Sequence, residues 1–437
     1  MSDTVDVASV QFRVDGQNRC VADTSPPYTC DWDTTLEGDG PVTLTALGTD
    51  TSNNQKLSSP VTVTVDNGVP PPPPPPPGTL RVPEDHATIQ AAVNAAADGD
   101  LVLVGPGVYP GGIIISGKAI TLASHFHTTG DPAFIDQTTI EGGAPGISIE
   151  ETAPGTIIKG LRFTAGTKSV VFFANGSALE NHFDDNGSDA VSFEHVGGVA
   201  RGNVCFSPSD DCFDVDRPES DLLIEDNIID AARDDGIEAR NGNYSGALVT
   251  VTIRGNTITG SGEDGIQLID SPGTANRKFV IEGNLITNSV DVGLGLMDNA
   301  ETVEDFRAAS MPERIHVFNN TFDGNSHGIT GGDNLIAVNN IISNSSVLGI
   351  KNIDNTSIVA HTLFFNNTTD HTGSNVDLAT TIVQDPLFTP AFELQAGSPA
   401  INSGTADFVH NAETVLTILS ADFFGTAPDL GSNEFIE

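Results

Sequence analysis

The stretches "RGNTIT" (254–259) and "EGNLIT" (282–287) each set an asparagine just ahead of a short apolar strand, and the same arrangement returns at Asn203, Asn227, Asn320 and Asn340. A fixed arrangement recurring along a chain decides its architecture before any single element does. A second register runs through "GISIEE" (146), "SVVFFA" (169), "DAVSFEH" (189), "DCFDVD" (211), "DGIEAR" (235), "DGIQLID" (264), "VGLGLMD" (292), "HGITGGD" (327) and "VLGIKNID" (347), at intervals of 20 to 35 residues. Each interval suits one coil of a parallel β-solenoid, with loops of variable length absorbing the differences. Asparagines at one place in successive coils stack into a ladder whose amides satisfy one another, so these six are read as structural.

Upstream, "TLRVPEDHATIQAAVNAAADGDLVLVGPGVYPGGIIISGKAITLAS" (79–124) pairs a helical apolar pattern over Thr88–Ala97 with strand-like "DLVLV" and "GIIIS". A solenoid needs its open end covered, which a short amphipathic helix does. This stretch resembles the N-terminal cap of right-handed parallel β-helices of the pectin-lyase type. Residues 6–66 alternate apolar and polar in short runs broken by Gly, Pro, Asn and Asp, the pattern of a small β-sandwich. Val7–Gly16, Pro27–Thr34 and Val61–Asn67 resemble bacterial immunoglobulin-like modules, which implies a spacer or a surface contact. Pro70 to Pro77 is an unbroken proline run, expected as a semi-rigid polyproline II spacer. The end, "DPLFTPAFELQAGSPAINSGT" (385–405) with "APDLGSNEF" (427–435), resembles a tail that closes the last coil in surface-associated β-helix proteins. The expected fold class is all-β: a right-handed parallel β-helix behind an immunoglobulin-like β-sandwich. The expected divisions are module 1–68, linker 69–78, β-helix 79–385 and capping tail 386–437.

Fifty-nine acidic residues against 18 basic ones give a formal charge of −41, which repels nucleic acid and anionic membranes. No apolar run reaches the roughly 18 residues that a membrane-crossing helix needs. "MSDTVDVASVQFRVDG" has no basic segment followed by an apolar one, so no leader is read there. The close cysteine pairs Cys20/Cys30 and Cys205/Cys212 nevertheless suit local bridges and an oxidising compartment, so the chain is expected to be secreted or at the cell surface. Four cysteines allow three pairings, and spacing alone does not choose.

In "SDDCFDVD" (209–216), Phe213 and Val215 are expected to point into the coil and Asp214 and Asp216 outward, with Asp210 and Asp211 at the entering turn. The coil before offers Asp189, Ser192 and Glu194; the coil after offers Asp234, Asp235, Glu238 and Arg240. Strands about 4.8 Å apart make these neighbours, an oxygen-lined groove of the kind that binds Ca²⁺. The "DDCFDV" strand is similar to the "DDGFDL" strand of calcium-dependent pectate lyases of polysaccharide lyase family nine, with Cys212 where that family has glycine. The resemblance implies Ca²⁺ held by Asp189, Asp210, Asp211 and Asp214, and β-elimination on a uronate polymer, so that an acidic polysaccharide or cell-surface glycan is the expected partner. That family takes its base from a groove lysine. Here the strand after the calcium motif offers Arg240, taken as the base, although a salt bridge to Asp216 or Glu238 would also account for it. Arg217, Arg233, Glu238 and Gln267 are expected to contact substrate.

Two other readings compete. Asp214 with Asp235 or Glu238 would make the acid and base of an inverting glycoside hydrolase; "DDC" resembles polygalacturonases, but "RIH" (314) precedes "SHG" (326), the reverse of their order. A low aromatic content, 6% with a single Trp, suits an adhesin or a self-associating filament subunit whose aspartates bind calcium for stability alone.

Overall fold

Short strands with β-branched and aromatic residues at every second position bury one face, and in this chain they do so by stacking coil on coil. The computed structural model describes residues 7–34, 40–65, 78–271, 273 and 275–436; Asp66, Asn67 and the Pro70–Pro77 run lie outside the described residues. The chain divides into two compact units, 1–73 and 74–437.

In the first unit, strands Val7–Val14, Gln17–Asn18, Gly40–Asp50, Gln55–Leu57 and Val61–Val65 form one antiparallel sheet among the described residues. Val14, Val42 and Val65 are its core, with Trp32 packed against them. So small a core supplies little burial, and the Cys20–Cys30 disulfide crosslinks the edge.

The second unit is a three-sided solenoid. Its parallel sheets hold twelve, twelve and eleven strands among the described residues, each strand pairing with the equivalent one in the next coil. Thr88 caps helix Ile89–Ala95 by accepting the Ala91 N–H, and Ile89, Ala92 and Val93 join the same core as Val102 and Ile113, covering the open end. Inside, Phe172 stacks on Phe193 at 5.0 Å and Phe163 on Phe183 at 5.1 Å. The asparagine ladder runs through Asn203, Asn227, Asn256, Asn284, Asn320 and Asn340, and Asn181 extends it one coil earlier. Each amide donates to the next Oδ1, as from Asn203 to Asn227 at 2.9 Å, and to a main-chain carbonyl.

Beyond residue 385 the chain runs along the flank of the last coils. Leu394, Ala400 and Leu430 cover outward-facing Ile341 and Leu363, and Leu416 covers Phe318, Ile336 and Val338.

Candidate functional site

The groove lies on the sheet built from strands Val170–Phe172, Val191–Glu194, Phe213–Asp216, Ile237–Arg240, Ile266–Ile269 and Val292–Met297. Alternation sends Phe213 and Val215 into the core and Asp214 and Asp216 outward. Register then makes two outward rows. One reads Ser192, Asp214, Glu238, Gln267, Gly295; the other begins with Phe173 beside the strand and continues Glu194, Asp216, Arg240. The same count backwards from the strands places Lys168, Asp189, Asp211, Asp235 and Asp264 in one column at the entering turn. That column is held by the main chain: Asp211 Oδ1 accepts the Asp235 N–H at 2.9 Å, and Asp235 Oδ1 accepts the Asp264 N–H at 2.8 Å.

The structure sets the four expected cation ligands side by side, in two triplets that share Asp211. Oxygens of Asp189, Asp210 and Asp211 lie within 4.8 Å of one another, and so do those of Asp211, Asp214 and Glu238 and those of Glu194, Asp214 and Asp216. Asp214 faces outward yet is only 3% exposed, as are Asp189 and Asp211; Lys168, Glu238 and Arg240 pack against Asp214. Burial and mutual repulsion have the expected result. Asp211 is raised well above the carboxylate range by desolvation and by Glu238 and Asp189; Asp214, by desolvation and Asp189, to about 7; Glu238, by desolvation, to about 7. Asp210 is raised too, by burial and by Asp189 and Asp234.

Two cations answer part of this charge. Lys168 reaches from the preceding coil to place Nζ 2.9 Å from Asp189, 3.0 Å from Asp214 and 3.4 Å from Glu194. Although burial opposes its charge, these carboxylates hold its proton more tightly than water would. Arg240 pairs with Glu238 and lies 3.5 Å from Asp214 and 3.7 Å from Asp216, which likewise strengthens its hold on its proton. The salt bridges foreseen for Arg240 therefore exist.

The remaining expected contacts fall elsewhere. Arg233 turns to Asp185 at 3.1 Å and Ser209 at 3.3 Å. Arg217 sits exposed in a left-handed turn, φ 49°, against Gly242, where its methylenes stand 2.7–2.9 Å from where a Cβ would be. Gln267 is fully buried with its amide on Asp264. Lys168 and Phe173 escaped the sequence reading. Aligning coils by their paired strands, not by their acidic motifs, would have put Lys168 at the head of the aspartate column. Phe173, 39% exposed, and Lys168 line a cavity of about 520 Å³ with Glu194, Ser188 and Pro145. Cys205 and Cys212 form a buried disulfide behind the acidic strand, which fixes the turn where glycine would be free to move.

The donor set fits a hard cation: it is all carboxylate oxygen, closely gathered, and carries more negative charge than Lys168 and Arg240 offset. Of the carboxylates in the hydrolase reading, Asp214 and Glu238 bring oxygens within 4.8 Å of each other, closer than the roughly 6.5–9.5 Å usual between the carboxyl groups of an inverting pair. Asp235, the other carboxylate of that reading, is buried in the column with its Oδ1 on the Asp264 N–H.

Residues 111–286 match a family model described as a right handed beta helix region, and residues 1–46 match one described as a bacterial Ig domain. No curated protein matches the chain. Among solved structures it is similar to pectate lyase Pel9A, with 16% identity and a TM-score of 0.55 over 79% of this chain and 90% of that one. Weaker likenesses include the A-module of Azotobacter vinelandii mannuronan C-5 epimerase AlgE6, at 16% identity and a TM-score of 0.34 over 68% of this chain and 94% of that one. The catalytic domain of a GH87 α-1,3-glucanase in complex with nigerose is 13% identical, with a TM-score of 0.38 over 88% of this chain and 87% of that one. From the stacked parallel sheets, the two family models and the likeness to Pel9A, the chain is a right-handed parallel β-helix protein that carries a bacterial immunoglobulin-like module ahead of the helix.

Proposed function

We propose that this chain acts on an acidic polysaccharide outside the cell, as a calcium-dependent lyase that cleaves a uronate polymer by β-elimination. The observation that carries the reading is the run of three overlapping carboxylate triplets, with the Lys168 ammonium already between Asp189 and Asp214: the groove is suited to hold positive charge. Asp189, Asp210, Asp211 and Asp214 would hold Ca²⁺. That ion, when bound, supplies the charge that attracts the uronate carboxylate and offsets the negative charge developing as the α-proton leaves. It also gives a −41 protein a way to bind a polyanion.

The chain's own groups do the rest. Phe173 offers a face on which a pyranose ring can stack beside Glu194. Arg240 is the proposed proton acceptor, and Lys168 is the second nitrogen base on the cluster. As long as Asp214 and its neighbours are charged, both nitrogens stay protonated; neutralising those carboxylates lowers the hold on each proton. Of the two, an ammonium yields its proton far more readily than a guanidinium.

The test is the ultraviolet absorbance of unsaturated uronate products on polygalacturonate and alginate. The expected result is a rise that needs Ca²⁺, stops with chelator, and is lost by about a hundredfold or more when the base is replaced by Ala. Arg240→Ala and Lys168→Ala, assayed side by side, identify which nitrogen takes the proton. New reducing ends without that absorbance would point to hydrolysis, and silence on both polymers across a broad glycan panel would leave an adhesive role.

A further inference from the structure

The two outward rows of the groove change character between one coil and the next. In the second row Asp216 and Arg240 keep 29% and 36% of their side-chain surface open. The next members by register, Ile269 and Met297, are apolar and only 1% and 3% exposed, although alternation turns them away from the core. In the first row Glu238 is followed by Gln267, Gly295 and Thr330, all buried. Outward side chains are hidden from water only where a second layer lies over the sheet.

From Gly295 onward that layer is the connection 298–313, between strands Val292–Met297 and Arg314–Phe318. Glu304 Oε2 accepts the Thr330 hydroxyl at 3.3 Å and stands 2.7 Å from where a Cβ on Gly295 would be. Phe306 stacks on His327 at 4.4 Å, has Lys351 Nζ 5.4 Å from its ring centre, and accepts the Asn352 Nδ2 at its carbonyl. Ala309 and Met311 are buried, and the Ala309 Cβ lies 3.3 Å from where Gly331 would carry one. The connection is thus packed down across successive coils. At the opposite end the groove has no such step: Phe173 is exposed, and the cavity it lines with Lys168, Ser188 and Glu194 continues the row.

Phe173, the carboxylate cluster and Arg240 differ in coil, not in place along the strand, so a polymer touching all three runs along the rows. Beyond Arg240 it meets the buried row after one strand spacing, about 4.8 Å, little more than a single sugar ring. We infer that this wall makes the protein a chain-end enzyme: it takes an acidic polysaccharide by one end, with the body of the chain leaving past Phe173, and releases short products of fixed size. The inference rests on the groove being the reaction site proposed above. An unbroken chain crossing the site in both directions would have to pass through the layer that Glu304 and Phe306 hold down.

The experiment uses the full chain with Ca²⁺ on polygalacturonate and alginate, following viscosity and new chain ends together while products are sized by chromatography. The wild type should give one short product from the earliest sample, with viscosity falling no faster than polymer is consumed. A ladder of lengths, with viscosity collapsing before short products accumulate, would overturn the inference. Glu304→Ala combined with Phe306→Ala, which loosens the layer, should shift the products toward that ladder. New ends without the ultraviolet absorbance would sink β-elimination alone, since the product sizes still judge the wall. If neither polymer is cut, binding to their short and long fractions decides: one protein per chain at every length supports the wall, and protein bound in proportion to chain length overturns it. No binding to either polymer would overturn the inference together with the reading beneath it.

Discussion

Two side-chain stacks run along this β-helix, and they differ by one functional group. In the asparagine ladder each Oδ1 accepts from the neighbouring coil while each Nδ2 donates, both to the next Oδ1 and to a main-chain carbonyl. In the aspartate column the Oδ1 also accepts a main-chain N–H from the neighbouring coil, but the second oxygen has nothing to donate. The amide stack is therefore neutral and satisfied, while the carboxylate stack is buried, repulsive and in need of protons or cations. A fold that already solves the turn with asparagine gains no stability by using aspartate there. Such a column makes sense as a device for holding positive charge.

The largest effect should come from breaking the satisfied stack. Asn256→Ala removes the acceptor for both the main-chain N–H and the Nδ2 of Asn227, all fully buried. Each orphaned donor costs about 1–3 kcal/mol, so a loss of about 3–5 kcal/mol is expected in denaturant unfolding. A change under about 1 kcal/mol would mean that water enters and replaces the ladder.

The unsatisfied stack should show itself through pH. In chelator, Asp214, Glu238 and Glu304, each pushed up to about 7, hold protons that the unfolded chain releases at its ordinary carboxylate values. Folded pKa values above unfolded ones mean stability that is complete below pH ~4, declines as pH rises, and is gone above pH ~7–8. Each tenfold gain in proton affinity on folding is worth about 1.4 kcal/mol, and with sites that share their repulsion the net fall should be about 2–4 kcal/mol. Saturating Ca²⁺ should flatten the curve. A melting temperature that rises from pH 4 to 7 in chelator would contradict the burial assigned to these groups.

Converting one stack toward the other gives a smaller change of opposite sign. Asp235→Asn keeps the oxygen that accepts the Asp264 N–H and removes one of the four contiguous buried carboxylates Asp189, Asp211, Asp235 and Asp264. The new amide also finds acceptors in Asp211 and Asp264. We expect a gain of about 1–2 kcal/mol at pH 8 in chelator, against the loss that most buried substitutions cause.

How legible was all this in the sequence? The ladder was, because a repeated Asn before an apolar strand is a local signal that survives variable loops. The strand faces were as well: once "DCFDVD" is a strand, alternation alone places Phe213 inside and Asp214 outside. What local pattern could not give was the contribution of other coils. Lys168 lies 46 residues before Asp214, in a coil with no acidic motif, and only counting from the paired strands shows that it heads the aspartate column. Glu304 arrives from a connection whose course no periodicity governs. Arg217 and Arg233 were placed in the site by their nearness in sequence, whereas the turns direct one to Gly242 and the other to Asp185.

The finest distinction concerns the head of the column, where Lys168 stands in for an ion. Its ammonium lies within 3.0 Å of both Asp189 and Asp214, two of the oxygen donors proposed for Ca²⁺, so the two positive charges cannot occupy that place together. Lys168→Met keeps the apolar stem and removes the charge. In chelator it should cost about 1 kcal/mol, since the half-exposed lysine offsets only part of the repulsion. In calorimetric titration it should bind Ca²⁺ more tightly, by about tenfold, because the ion no longer displaces an ammonium. The competing account makes Lys168 the strut that keeps Asp189 and Asp214 pointing inward for the ion. Under that account affinity and stability fall together, and a weaker Ca²⁺ isotherm in Lys168→Met would decide for it.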